Sequence, residues 1–480
     1  MKVHPKSFMR ILLVLVLLTP SAFITVGQAE KRGIQTWSGT YGSGTALSVV
    51  PAQHSHGFMV AGYKGDGWVM MVNGTGEVVW SNRYAPAGYY RSSLKLAPIE
   101  TTDGGYVLGG VAVSSDPMRG TDAWLLKLDR QGNMEWSKTY GGPRDDWFET
   151  IGETKDGGYI AAGNTQWAGS HLMNGWVVRL DHDGNVIWQE AFAGEDVHFV
   201  SPTRDEGFLI SGEVGTSFAP ALWVLKLDSR GKVLWQNAYD VSEHRYSIFI
   251  ADTWTQQTKD GGYILSAHVE RPYLFDSPRP REALFLRLDS QGRILWQEMY
   301  GDGVGSNMPT SIEQTRDGGF IAAGRATQVL VGSYPSEPQG TSGPWLLKLD
   351  ANGEIVWEKT YGGQNDFFFQ AMETKDGGFV TVGNFANLDS GWVLKLNANG
   401  NVLGCPLLGM PTNMTLIKSS VVVSQPIIEP VATNASVTQN TITVLSMSDH
   451  QAFQCLVLSL KKDFHREVVV PRHSGRAVPD

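Results

Sequence analysis

The stretch "WLLKLDRQGNMEWSKTYGG" (124–142) returns later in the same chain as "WLLKLDANGEIVWEKTYGG" (345–363), with 13 of 19 positions identical. Near-identity at a distance within one chain is the mark of a structural repeat. Weaker copies fill the space between. A tryptophan closes each copy at Trp80, Trp136, Trp188, Trp235, Trp296 and Trp357, and Trp37 holds the same place ahead of the first. The seventh unit ends at Gly404, where glycine replaces the tryptophan. Units of this length indicate a propeller or a solenoid.

Each unit carries three landmarks. The first is a turn such as "TKDGGY" (154–159) or "TRDGGF" (315–320), in which Asp-Gly supplies the positive φ of a tight turn. The second is an apolar strand such as "WVVRLD" (176–181) or "WVLKLD" (223–228). The third is Asp/Asn-x-x-Gly-x-x-x-Trp, a hairpin leading into a strand such as "NVIW" (185–188). Four strands per unit follow, joined by consecutive hairpins into an antiparallel meander. Both faces of such a sheet are apolar, and radial stacking buries both. The expected fold is all-β: a seven-bladed β-propeller of four-stranded antiparallel blades over residues 34–404. An eight-bladed ring is the alternative. The last unit lacks a good fourth strand, and "GIQTWSGTY" (33–41) matches one with no unit in front of it. The N-terminal strand is therefore expected to complete the last blade.

The 480 residues include 55 glycines and 16 tryptophans and carry a net charge of −9. That composition suits short strands and tight turns. No block of Lys and Arg stands out, so nucleic acid is not an expected partner. Lys2, Lys6 and Arg10 precede the apolar run "ILLVLVLL" (11–18), which breaks at Pro20 and ends in small residues at Gly27 and Ala29. Residues 1–29 read as a signal peptide, with an uncleaved anchor as the alternative. The mature chain is expected to be secreted, periplasmic or at the cell surface, with no transmembrane segment after cleavage and as a monomer. Cys405 and Cys455 are the two cysteines, and in an exported protein the pair suggests a disulfide. Residues 405–460, rich in Val, Ile, Thr and Ser, read as a small C-terminal β-rich appendage. Residues 461–480 read as a disordered tail.

The segment "WVLKLDSRGKVLWQ" (223–236) resembles the repeat of the PQQ-like (quinoprotein-like) β-propeller superfamily, and the combination of "TKDGGYIAAG" (154–163), "WVVRLDHDGNVIW" (176–188) and "WSKTYGG" (136–142) resembles more closely a group of exported prokaryotic propeller-repeat proteins. The resemblance covers roughly residues 34–404 and implies the fold far more than a function. A quinoprotein dehydrogenase would imply PQQ, calcium and an adjacent pair of cysteines. Here the two cysteines lie outside the repeat and apart, and the turn is one residue shorter. PQQ is not expected.

The two kinds of turn barely vary among units and lie on one side of a meander. The loops on the other side vary, and "HVERPYLFDSPRPREA" (268–283) and "RATQVLVGSYPSEPQGTSGP" (325–344) are long. Long loops on a rigid scaffold commonly carry binding residues. Arg271, Tyr273, Phe275, Arg279, Arg281 and Tyr334 are the candidate ligand contacts. Asp145, Asp146, Glu195, Asp196 and Asp366, in the links between units, are the candidate metal ligands, and Ca²⁺ is the cation they would suit. No other cofactor is expected. The recurring Lys127, Arg179, Lys226, Arg287, Lys348 and Lys395 read as buried stems with a paired charged head between blades. No catalytic constellation is specific enough to name. The reading is a non-enzymatic binding or scaffold protein holding a protein or glycan on the variable-loop face. The alternatives are a divergent quinoprotein-like or hydrolytic enzyme using the central channel, and a cell-surface structural component.

Overall fold

The computed structural model describes residues 35–403 apart from 42–44, 53–56, 95–97, 167–172, 217–218, 241–248, 271–280, 302–305, 330–339, 363–365 and 386–389, together with six short strands between 410 and 446. Among these residues every regular element is a β-strand, and no helix is long and apolar enough to cross a membrane. Residues 1–29, 461–480, Cys405 and Cys455 lie outside the described residues.

The third unit shows the pattern. Strands Asp146–Glu153, Tyr159–Thr165, Asn174–Leu180 and Val186–Ala193 pair antiparallel in sequence order. The other units repeat it. In the last one, the strand Trp37–Tyr41 pairs antiparallel with Ser390–Leu396 and supplies the outermost strand, as the sequence pattern predicts. Apolar clusters fill the space between successive sheets. One of them joins the last unit to the first, with Val380, Val382 and Val393 packed with Val60, Trp68 and Met70.

Two physical reasons make the glycine of the Asp-x-x-Gly turn recur. Gly132 and Gly184 adopt φ of 84° and 75°, which disfavours any side chain. A Cβ on Gly132 would also lie 2.8 Å from the indole of Trp80, and one on Gly184 would lie 3.1 Å from that of Trp136. The tryptophan that closes one unit therefore rests on the turn glycine of the next.

The recurring cations are placed differently from expectation. Arg179 pairs with Asp156 at 2.5 Å, Lys226 with Asp205 at 3.0 Å and Lys395 with Asp376 at 2.9 Å. Each partner is the aspartate of the Asp-x-Gly turn of the same unit, so the pairs clamp a sheet internally and do not bridge blades. The buried stem crosses the neighbouring strand, and the nearest anion at its tip is that turn.

The β-rich stretch after 405 also takes another form. Its described strands do not pair with one another. Each adds antiparallel to the outer edge of a different repeat sheet.

Candidate active site in the central cavity

A cavity of about 900 Å³ is lined by the innermost strands of the units. Thr45–Ala52 contributes Leu47 and Ser48, Tyr89–Ser93 contributes Ser93, and Asp146–Glu153 contributes Trp147 and Glu149. Asp196–Pro202 contributes Asp196, His198 and Phe199, and Phe249–Gln257 contributes Trp254. Ser306–Gln314 contributes Thr310, and Phe367–Glu373 contributes Phe367, Phe369 and Gln370.

A register shift recurs in these strands and decides what reaches the cavity. It falls between Ala46 and Ser48, Phe148 and Thr150, Val197 and Phe199, Pro309 and Ser311, and Phe368 and Gln370. A β-bulge leaves one residue out of the ladder and re-aims its side chain. The bulged residues Leu47, Glu149, His198, Thr310 and Phe369 all line the cavity.

Aromatic rings form much of the wall. Phe199 and Trp254 lie 4.6 Å apart between centroids, and Phe367 and Phe369 stack at 6.1 Å with 14° between planes. Rings of this kind present flat apolar faces next to polar edges.

One rim is acidic. Asp196 and Glu213 are register partners on adjacent strands. With His198 they offer ligand atoms that all lie within 4.8 Å of one another. The Glu213 carboxyl is pushed up to about 7, first by burial and then by the charges of Asp196 and Glu195. Burial, with Asp196 adding, also raises Glu195 against the hydrogen bond it accepts from the Gly215 amide. At neutral pH Glu213 is thus poised between acid and carboxylate, beside an imidazole and a second carboxylate. That set can exchange protons with a bound substrate. The same atoms could hold a divalent cation.

The neighbouring unit holds this strand in place. Asn164 accepts a hydrogen bond from the Val197 amide at 3.0 Å and donates to the Val197 carbonyl at 3.3 Å. The Val200 amide donates to Thr150 Oγ1 at 2.9 Å. Asp196 and His198 therefore project from a backbone fixed on both sides of the bulge.

Of the residues proposed from sequence as metal ligands, Asp196 lies in this cluster, and Glu195 is close enough to shift Glu213. Asp145 is exposed and accepts from the Thr121 amide at 2.8 Å. Asp146 is fully buried, accepting from Gly142 at 2.6 Å and from the Thr165 hydroxyl, and its carboxyl is pushed up to about 6 by burial. Asp366 is buried near Arg325. Asp145, Asp146 and Asp366 do not join the Asp196 cluster. Among the proposed ligand contacts, Arg281 donates to Met308 Sδ at 2.9 Å and lies close enough to Arg325 to depress it, after burial. Arg271, Tyr273, Phe275, Arg279 and Tyr334 lie outside the described residues.

Sequence reasoning missed His198 and Glu213. A signal was present. Inside the well-repeated second strand, the residue after the recurring small residue changes in every unit but one pair: Tyr63, Val111, Asn164, Glu213, His268, Arg325 and Asn384. A position that varies inside an otherwise fixed motif answers to its own unit, as scaffold at Asn164 and as cavity rim at Glu213.

A second hollow, of about 630 Å³, lies between the turns of the third and fourth units and includes Asp156, Arg179, Trp188 and Gly207. These residues recur from unit to unit and are accounted for by the scaffold.

No family model and no curated protein matches the chain. Among solved structures it is similar to an ulvan lyase of polysaccharide lyase family PL25, at 12% identity and a TM-score of 0.47 over 76% of this chain and 96% of that one. It is also similar to the polysaccharide lyase Uly1, at 8% identity and a TM-score of 0.43 over 74% and 90%. A third is Sqt1 of Chaetomium thermophilum, at 10% identity and a TM-score of 0.40 over 75% and 96%. The expectation of a non-enzymatic scaffold with its ligand on the variable-loop face is corrected here. The enzyme alternative is carried forward on the Asp196, His198 and Glu213 cluster beside the aromatic-walled cavity. The chemistry itself is argued from this chain's own side chains.

Proposed function

We propose that the units close into a seven-bladed propeller and that the protein is an exported enzyme that cleaves glycosidic bonds in the central cavity. The observation that carries this reading is the cluster of Asp196, His198 and Glu213, with the Glu213 carboxyl at about 7, on the rim of an aromatic-walled cavity. The rings of Phe199, Trp254, Phe367 and Phe369 suit the apolar faces of sugar rings, and the acidic rim supplies the proton traffic. Glu213 protonates the leaving glycosidic oxygen, and Asp196 or His198 acts as the base. Atoms within 4.8 Å of one another are too close for an inverting pair of carboxylates, which needs roughly 6.5–9.5 Å for its water. This pair therefore does not act by inverting hydrolysis.

The test is degradation of a panel of neutral and acidic polysaccharides by the mature protein, read by chain length and by new reducing ends. Ultraviolet absorption of an unsaturated end group would mark elimination, and saturated ends would mark hydrolysis. Shortening of no polysaccharide, or full activity in Glu213→Gln, would overturn the reading.

A further inference from the structure

The strands after residue 405 form a belt with a fixed step. Met410–Pro411 pairs with the outer strand of the sixth unit, Ile355–Thr360, and Thr415–Ile417 with that of the fifth, Ile294–Gly301. Val422–Ser424, Pro430–Val431, Ser436–Gln439 and Ile442–Ser446 then take the outer strands of the fourth, third, second and first units. The chain thus walks round the repeat in reverse order.

The step is seven residues, measured at equivalent positions. Leu416 lies opposite Tyr300, Val423 opposite Tyr239, Pro430 opposite Phe192, Val437 opposite Tyr140 and Val444 opposite Tyr84. Each outer-strand residue in this series holds the same place at the end of its strand, and each pairing is antiparallel.

One outer strand comes next in that order: Trp37–Tyr41, the N-terminal strand that completes the last sheet. One more step of seven from Val444 reaches Gln451. Antiparallel register then sets Gln451 opposite Tyr41 and Cys455 opposite Trp37. The sequence "QAFQCLVL" (451–458) has the apolar and β-favouring character of the belt strands. Chain length is sufficient, because 34 residues follow Ser446.

We propose that residues 447–455 carry the belt onto the outer edge of Trp37–Tyr41, so that the belt ends on the same sheet from which it departs. The point of departure is fixed on the same strand. The Leu403 amide donates to Thr36 Oγ1 at 2.8 Å, and Cys405 follows two residues later. The closed belt brings its two ends within reach of a disulfide between Cys405 and Cys455. Forming it takes thiol–disulfide exchange with an oxidised dithiol donor. One cysteine thiolate opens the donor disulfide, the second displaces the donor sulfur, the Sγ–Sγ bond forms, and the donor leaves as two thiols with both protons. An outer sheet edge left open is a template for another chain, and a belt drawn from the same chain removes it all the way round.

The test uses the full mature chain from an oxidising host, with amide hydrogen exchange followed at residues 37–41. Two variants accompany it: a chain ending at Ser446, and Ala452→Pro, which keeps the length but removes an amide from the ladder at the place between those where the belt already carries Pro411 and Pro430. Slow exchange at 37–41 in the full chain, at least tenfold faster in both variants, is the expected result. A Cys405–Cys455 linked peptide in the non-reducing digest is expected with it. Equal exchange in the full chain and in Ala452→Pro overturns the proposal, as does protection at 37–41 that appears only with dimerisation. If the shortened chain fails to fold, Ala452→Pro and the peptide map decide.

Discussion

The hydroxyl of Tyr140 donates to the carbonyl oxygen of Gly184 at 2.7 Å, and the two residues belong to neighbouring units. Tyr41 with Gly76, Tyr84 with Gly132 and Tyr361 with Gly400 repeat the bond at 2.8, 2.7 and 2.8 Å. The last strand of one unit is thereby latched to the last hairpin of the next, and Tyr41 carries the latch from the final unit to the first. Tyr140→Phe removes the donor and leaves a buried carbonyl without it. The unfolding free energy should fall by about 1–3 kcal/mol, read from urea unfolding with an unchanged slope. Phe192 stands at the same place in the third unit, so Phe192→Tyr should not destabilise if the register of the latch is general.

The turn clamps should differ in strength from unit to unit. Arg179 has one carboxylate partner, Asp156 at 2.5 Å. Lys127 has two, Asp103 at 2.9 Å and Glu135 at 2.8 Å. Glu135 occupies the bulged position where other units carry the exposed Ile187, Leu234, Leu295 and Val356. Asp156→Asn leaves a guanidinium buried without its anion and should destabilise by about 1–3 kcal/mol, the partly exposed carboxylate keeping the figure below that of a fully buried pair. Asp103→Asn should have a smaller effect, and combining it with Glu135→Gln should restore the larger one. Equal losses for Asp103→Asn and Asp156→Asn would show that Glu135 carries none of the load.

How much of this was legible in the sequence depends on what each residue answers to. Residues that serve the scaffold do so in every unit, so Trp136, Gly184 and the Asp-Gly turns announced the strands and hairpins by repetition. Repetition hid their partners, though. Asp156 reads as a turn former, and only the folded sheet shows it as the counter-ion of Arg179. His198 serves one unit alone. A bulge, which sequence does not mark, turns it to the cavity. The belt strands were recognisable as β-forming, but their seven-residue step matches the passage from one outer strand to the next and has no meaning until those strands stand side by side.

Stability should peak in mildly acidic solution. Burial, with the charge of Asp122 adding, lifts the Asp146 carboxyl to about 6 against the hydrogen bonds from Thr165, Gly142 and Gln166. Between its unfolded value near 3.8 and 6 the folded chain binds the proton and the unfolded chain does not, so stability falls as pH rises through that window. Asp103 behaves oppositely. Against the cost of burial, hydrogen bonds from Thr101, the Gly105 amide and Lys127 hold its carboxyl down to about 2. Its contribution is present above the unfolded value and is lost as pH falls towards 2. Melting temperature against pH should therefore show two limbs. Asp146→Asn should flatten the one on the neutral side, and Asp103→Asn the one on the acid side. An unchanged neutral limb in Asp146→Asn would rule out this carboxyl as its source.

Turnover should report the protonation of Glu213. Glu213→Gln keeps the shape and removes the proton donor, and a loss of about 10²–10⁴-fold in kcat is expected for a general acid. KM should change little, because the aromatic wall of Phe199 and Trp254 is untouched. The alkaline limb of the wild-type pH profile should fall near the Glu213 value of about 7. The charge of Glu195 helps to raise that value, after burial and Asp196. Glu195→Gln should therefore move the alkaline limb to lower pH while leaving activity in acid solution intact. A purely structural role for Glu195 would lower activity across the whole profile without moving the limb. A limb that persists unchanged in Glu213→Gln would assign the proton donor to another group.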